Sequence, residues 1–213
     1  MVELLGGAVP GLRERKKQRT RATLIEAAVQ LCLTQGYERT TVEQISAVAE
    51  VSPRTFSRYF ATKDAVIMTL LEDLVEGVAV ELADIPFTVP VFEALHRAHV
   101  CVLRDVSQGG LAGLTAERIV LMLRIINSTP ALKAAATDFR PMPTVHALAE
   151  RMGTGIDDRR VWMVMSVWSA IIVTACGDLV VDREGVELGP DLMVERLDGM
   201  FADFTELTAS LTR

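Results

Sequence analysis

The stretch of residues 40–60, TTVEQISAVAEVSPRTFSRYF, constrains the fold more than any other because it contains two helix-start signals. Thr40 or Thr41 can cap a first helix with its side-chain hydroxyl. Glu43 or Gln44 can reach back to the backbone of the capping residue. Apolar residues then follow at helical spacing, so a short amphipathic helix is predicted to open this stretch.

A second helix start follows a tight turn at residues 50–51. Ser52 is a good N-cap, and Pro53 suits the first helical position, where its missing N–H costs nothing. Phe56 and Phe60 are four residues apart and share the inner face. The outer face carries donors that can reach base edges or phosphates, namely Arg54, Thr55, Ser57, Arg58 and Tyr59. The two helices are therefore predicted to form a helix-turn-helix, with the second as its recognition helix.

Charge is distributed unevenly along the chain. The formal net charge of −6 would argue against nucleic-acid binding if it were spread evenly. Residues 1–65 hold ten Lys or Arg against seven Asp or Glu, whereas residues 66–213 hold twelve against twenty-one. The run of residues 13–21 has six basic residues and one acid, Glu14. A basic run beside a helix-turn-helix is expected to contact phosphates, and Lys17 is assigned to that contact.

The three cysteines, Cys32, Cys101 and Cys176, are widely separated and match no metal-ligand spacing. The start of the chain lacks a charged segment followed by an apolar run and a cleavage site. We therefore expect a reduced, cytoplasmic protein in which the cysteines pack as small apolar residues. No cofactor and no metal site are expected.

Hydrophobic periodicity predicts an all-α protein of about nine helices, with no strand. Besides the two motif helices, the predicted helices cover about residues 17–35, 62–84, 91–107, 115–128, 144–152, 157–177 and 190–211. Only a short turn through Ala136 is expected after Pro130. The predicted organisation is a flexible basic N-terminal arm over 1–16, a three-helix DNA-binding domain over 17–65, and a helical ligand-binding and dimerisation domain over 66–213.

Residues 161–177, VWMVMSVWSAIIVTACG, contain no charge, which is typical of a helix buried all round. A membrane span is rejected because 17 residues fall short of the roughly 20 required and polar residues interrupt them. The simpler interpretation is core on one side and a subunit interface on the other, with the amphipathic last helix beside it. The predicted homodimer interface consists of Trp168, Ile172, Leu197, Phe201 and Phe204.

The second domain has more apolar side chains than a compact core of this length requires. Methionine-rich and tryptophan-bearing interiors are used by adaptable apolar pockets, although ordinary core packing is the competing interpretation for each residue. The predicted pocket residues are Phe92, His99, Met122, Trp162 and Met165. The expected occupant is a small hydrophobic effector, such as an acyl or aromatic compound.

The N-terminal pattern resembles that of TetR-family transcriptional regulators, most strongly over residues 17–66. The matching features are Gly36-Tyr37, Thr40-Thr41, Phe56, Tyr59-Phe60 and Lys63. The resemblance implies that Thr41, Tyr59 and Lys63 contact phosphate. It also implies that Arg54, Thr55 and Ser57 enter the major groove.

The leading hypothesis is a dimeric repressor that binds a near-palindromic operator in double-stranded DNA and is released by the effector. An activator, or a DNA-binding protein without an effector, has the same architecture and stays open. An enzyme is disfavoured because His96 and His99 lack a nearby acid or nucleophile in the sequence, and His146 is distant. A metal sensor is disfavoured because Cys101 does not share a helix face with these two histidines.

Overall fold

In the computed structural model, which describes residues 11–110, 113–180 and 187–210, the chain is all α-helical, as predicted. The ten described helices are α1 Leu12–Gln35, α2 Val42–Val48, α3 Pro53–Tyr59, α4 Lys63–Asp84, α5 Val91–Ser107, α6 Ala116–Ser128, α7 Pro130–Thr137, α8 Met142–Arg151, α9 Arg159–Cys176 and α10 Pro190–Ser210. Helix α7 stands where only a turn was expected. Pro130 occupies the first position of that helix, where proline is favourable, so it starts a helix and does not only end the preceding one.

The chain divides into two compact units, Met1–Ile67 and Met68–Arg213. Helix α1 begins at Leu12, so Arg13, Arg15 and Lys16 are helical, although a flexible arm was expected there. Residues 1–10 of that arm lie outside the described residues. The core of the first unit is built from the side chains of Leu24, Ala28, Ile45, Phe56, Phe60, Val66 and Ile67, all of them buried.

Local signals set the geometry of α2 and α3. Thr41 Oγ1 accepts from the Gln44 amide at 3.3 Å, and Gln44 Oε1 accepts from the Thr41 amide at 3.0 Å, which completes a capping box. Ser52 Oγ accepts from the Thr55 amide at 3.1 Å and begins α3. Between the two helices, Glu50 has φ of 54°, the left-handed conformation that reverses the chain direction. The predicted caps and turn are therefore confirmed.

In the second unit, Arg151 from the end of α8 closes the C-terminus of α4. Its guanidinium donates to the carbonyl oxygens of Leu82 and Pro86 at 3.0 Å and of Val89 at 3.3 Å, and also to that of Ile85. The last carbonyls of a helix have no partner within it, so a multidentate cation satisfies them. Arg151 thereby joins α8 to the α4–α5 loop.

Within the described ranges of the chain, helix α9 is buried on one side only. Val161, Val164 and Trp168 are buried, whereas Met163 is 59% exposed. Of the described helices taken singly, α9 alone is long and apolar enough by composition to cross a membrane. The core helix of a soluble protein meets the same criteria. Its buried side contributes to the core of the second unit.

Candidate nucleic-acid interface and ligand cavity

The outer surface of α3 presents the polar side chains that the sequence assigns to it. Arg54, Ser57 and Arg58 are exposed and lie beside Thr55 around one surface depression. On the inner side, Phe56 is 1% exposed and its ring lies 5.8 Å from that of Phe60. Because the two phenylalanines anchor the helix in the core, its polar face is held towards solvent, where it can meet a groove of DNA.

Basic residues of α1 lie beside the C-terminal end of α3. Lys16, Lys17, Arg58 and Tyr59 border one concavity together with Thr20. The structure thus brings Lys17 and Tyr59 together, although they are far apart in the sequence. Hydrogen bonding to Thr20, with a smaller contribution from Arg58, lowers the pKa of Tyr59. This concavity combines cations with hydroxyl donors, which is the chemistry of a phosphate contact.

Lys63 has a structural role in addition to its predicted phosphate contact. Its Nζ donates to the carbonyl oxygens of Tyr37 at 3.0 Å and Thr40 at 3.2 Å, and lies 4.0 Å from the Tyr37 ring centroid. The Tyr37 hydroxyl donates to Asp64. Burial, followed by this hydrogen bond, raises the pKa of Tyr37. Lys63 therefore ties the start of α4 to the α1–α2 connection, and one of its three N–H groups is not used by these two bonds.

The second unit contains a cavity of about 140 Å³. Its wall is mainly apolar, with contributions from Leu71, Leu74, Val75, Val78, Met122, Leu123, Ile126, Phe139, Met165, Trp168, Ile172 and Val173. The polar side chains in the wall are His99, Asn127, Lys133, Thr144 and Ser169. An apolar wall with a few polar groups is typical of a small-molecule site.

Three of the five predicted pocket residues, His99, Met122 and Met165, line this cavity. Trp162 and Phe92 do not, and the Phe92 ring instead packs 5.1 Å from that of Phe204. Sequence reasoning missed the role of Lys133, Asn127 and Ser169. Their positions follow from long-range packing, and no local pattern marks them.

Two polar residues of the wall hold the end of α9. Asn127 Nδ2 donates to the carbonyl oxygens of Cys176 at 2.9 Å and Leu179 at 3.0 Å. Lys133 Nζ donates to that of Gly177 at 2.6 Å. Side chains of α6 and α7 thus bind the last carbonyl of α9 and two carbonyls just beyond it, which fixes this part of the cavity wall.

The residues assigned to the dimer interface have different surroundings. Trp168 and Leu197 are each 3% exposed within the single chain, and Ile172 lines the cavity. Phe201 is half-buried, and its ring stacks 4.4 Å from that of His96. Trp168 and Leu197 therefore offer little area to a partner, because other residues of this chain already cover them, whereas Ile172 is half-buried.

The surroundings of His96 differ from those expected from the sequence. His96 Nε2 lies 2.8 Å from an Asp198 carboxylate oxygen, an acidic partner that sequence spacing did not reveal. Among the described residues, the one group of three potential metal ligands is Glu81, Cys101 and Asp105, which includes neither His96 nor His99. Hydrogen bonding to Glu81 raises the pKa of Cys101 to about 11.

Comparison with known proteins agrees with this architecture. The family model of bacterial regulatory proteins, tetR family, matches residues 24–68. The HTH-type transcriptional regulator TcmR of Streptomyces glaucescens is 37% identical over 166 residues, which cover 76% of this chain and 74% of TcmR. The HTH-type transcriptional repressor NicS of Pseudomonas putida is 31% identical over 64 residues, 30% of each chain.

Among solved structures, the fold is similar to that of Thermus thermophilus FadR, a TetR-family repressor crystallised in complex with lauroyl-CoA. The TM-score is 0.50 at 20% sequence identity, and the match covers 85% of this chain and 91% of FadR. At that identity the likeness concerns the fold. The chain is 37% identical to TcmR over most of both chains, and α2 and α3 have helix-turn-helix geometry. This protein therefore belongs to the TetR family of transcriptional regulators.

Proposed function

We propose that this protein is a cytoplasmic, homodimeric transcriptional repressor that leaves a near-palindromic operator when a small apolar effector occupies the cavity. The observation that carries the proposal concerns α4. Leu71, Leu74 and Val78 of this helix line the cavity in the second unit, while its first turn, with Lys63, belongs to the unit that contains α3. One continuous helix thus takes part in both candidate sites.

In this proposal the two classes of DNA contact are divided between α3 and its surroundings. Arg54, with Thr55 and Ser57, reads base edges in the major groove, since these side chains lie on the outer face of α3. Thr41, Lys17 and Tyr59 contact phosphates. The N–H of Lys63 that is not bonded to a carbonyl oxygen makes a further phosphate contact. Phosphate contacts set register and salt dependence, whereas base contacts set sequence preference.

Arg54→Ala is expected to weaken operator binding by about 5- to 150-fold, the loss for one good base contact, with a much smaller effect on a scrambled duplex. Lys17→Ala is expected to weaken both duplexes alike and to reduce the salt slope by about 0.9, the value for one phosphate contact. Fluorescence anisotropy at several salt concentrations measures both quantities. Arg104→Ala, an exposed arginine of α5 in the second unit, is the control. Equal losses for Arg54→Ala on both duplexes would contradict base readout by α3.

Effector control requires the ligand to favour an α4 position that DNA binding disfavours. The apolar wall, together with the lauroyl-CoA bound by the structurally similar FadR, supports an effector with an apolar body. A ligand in the cavity contacts α4 along two turns, so in this proposal a small displacement there is passed along the helix towards its first turn. By thermodynamic linkage, the effector and the operator must weaken each other's binding by the same factor. The coupling free energy is expected to be about 1 to 3 kcal/mol.

The experiment that tests the effector proposal screens apolar compounds for release of operator DNA and for thermal stabilisation. We expect Met122→Trp, which fills the cavity from α6, to raise the effector concentration for half-release by about tenfold or more. Met142→Trp is the matched control, because Met142 is 44% exposed and does not line the cavity. Effector control is contradicted if no apolar compound shifts operator binding, or if both variants respond like the wild type.

Support for the homodimer comes from the outer faces of α9 and α10. Gly199 lies in the middle of α10, and a Cβ added there meets no described atom within 4 Å. Within the described part of the chain, this glycine costs about 1 kcal/mol of helix stability relative to alanine and relieves no contact. A partner helix packed closely at Gly199 accounts for it, and the exposed Met163 of α9 is an apolar side chain that a partner would also cover.

A further inference from the structure

His99 on α5 is a buried polar group in the cavity wall whose hydrogen bonding is incomplete. Its side chain is 7% exposed, and its Nδ1 lies 2.9 Å from the carbonyl oxygen of Leu95, one helical turn earlier. A carbonyl oxygen can only accept, so Nδ1 carries the proton. Nε2 is therefore the nitrogen with a lone pair, on the part of the ring that is turned away from its own helix.

The neighbouring indole does not use this lone pair. Trp168 Nε1 lies 3.2 Å from His99 Nδ1 and 3.4 Å from Nε2, with the two rings tilted by 57°. Protonated Nδ1 cannot accept a hydrogen bond. A donor aligned with the in-plane lone pair of one ring nitrogen lies much farther from the other ring nitrogen. The distances from Trp168 Nε1 to the two nitrogens are nearly equal, so the indole N–H lies over the face of the imidazole ring. Among the residues that the structure describes, Nε2 remains an acceptor without an in-plane donor.

The other polar side chains of the wall already have backbone partners. Asn127 and Lys133 donate to carbonyl oxygens at the end of α9. Ser169 Oγ donates to the Thr137 carbonyl at 2.9 Å, and Thr144 Oγ1 donates to the Val75 carbonyl at 3.5 Å. Within the part of the chain that the structure describes, none of these donors is directed at His99. A buried acceptor at the wall of a cavity selects a ligand that brings its own donor.

We propose that the effector is a small aromatic compound with a free hydroxyl, a phenol, and that its O–H donates to His99 Nε2. This inference rests on the proposed effector function. The cavity of about 140 Å³ is close to the roughly 150 Å³ that accommodates benzene in an engineered protein cavity. Trp168 packs well against an aromatic ring, as do the thioethers of Met122 and Met165.

The protonation state of His99 agrees with this role. Burial lowers the pKa of His99 to about 4, so the ring is neutral at physiological pH. A neutral ring with its proton on Nδ1 presents Nε2 as an acceptor. A charged ring would present a donor there, and an ether or a carbonyl compound would then be preferred.

The test compares ligands of similar size on the full-length protein. Isothermal titration calorimetry gives the affinities of para-cresol, of para-fluorotoluene, which lacks the donor, and of para-methylanisole, whose oxygen only accepts. We expect para-cresol to bind about tenfold tighter than either analogue, or more. His99→Phe is expected to reduce this ratio to about one. His146→Phe is the matched control, because His146 Nδ1 makes the same bond to the carbonyl four residues earlier but is exposed and outside the cavity.

A spectroscopic measurement on the wild type does not depend on how the variants fold. The ¹⁵N resonance of His99 Nε2 should shift on binding of para-cresol and stay nearly constant with para-fluorotoluene. Equal affinity for the three compounds, or an unchanged ratio in His99→Phe, would overturn the His99 role while leaving an apolar effector site intact. If none of them binds and the apolar screen also fails, both the phenol inference and the effector function are overturned.

Discussion

Phe56→Ala is expected to lower the free energy of unfolding of the first unit by about 3 to 5 kcal/mol and to abolish operator binding at micromolar protein. Phe56 is 1% exposed and belongs to the core of the first unit, where Ile45 and Leu24 are fully buried too. Removing its ring leaves a cavity under the recognition helix. Because small domains have net stabilities of only about 5 to 15 kcal/mol, a loss of this size removes much of the total.

Amide hydrogen exchange measures this loss best, because it reports on α2 and α3 separately from the second unit. Tryptophan fluorescence is unsuitable, since Trp162 and Trp168 are both in the second unit. Val48→Ala is the control, as Val48 lies on α2 but is 48% exposed. A loss of protection below about 1 kcal/mol in Phe56→Ala would mean that α3 is not anchored by this ring.

Gly199→Lys is expected to weaken the homodimer by about 100-fold or more, which corresponds to about 2.7 kcal/mol. The long cationic side chain occupies the space that the proposed partner helix needs. A Cβ at this position meets no atom of the described residues within 4 Å, and lysine is a better helix former than glycine by several tenths of a kcal/mol. The variant should therefore retain its helical content, so that a loss of dimer is not a loss of fold.

Sedimentation equilibrium over a range of concentrations gives the dimer dissociation constant, and operator binding should fall in parallel because both half-sites are needed. Ala83→Lys, at an exposed position near the end of α4, introduces the same side chain away from α9 and α10. A Gly199→Lys protein that stays dimeric like the Ala83→Lys control would exclude this face of α10 from the interface.

Local signals were sufficient for the helix-turn-helix. The capping box of Thr41 and Gln44, the Ser52-Pro53 start and the inward Phe56 all depend on residues within one or two helical turns. Interactions of this range are present in the sequence as spacing. The same reasoning failed at Pro130, because proline both ends one helix and begins another, and sequence alone does not decide which effect prevails.

The second unit shows what periodicity leaves undecided. In the uncharged segment 161–177, no polar face distinguishes the inside of the helix from its outside, so Trp162 and Trp168 were indistinguishable. The structure puts Trp168 against His99 in the cavity wall and leaves Trp162 outside the cavity. Lys133 at the Gly177 carbonyl and His96 beside Asp198 depend likewise on contacts between distant helices.

The sequence by itself determined the helical class, the helix-turn-helix with its buried and exposed faces, and the basic character of the first unit, because caps, turns and helical period are short-range effects. Only the tertiary structure decided which apolar residues enclose a cavity and which of the described ones stay exposed. It also decided which ring nitrogen of His99 holds the proton. These outcomes depend on how helices remote in the chain pack, and dispersion and burial favour any apolar neighbour without specifying which one.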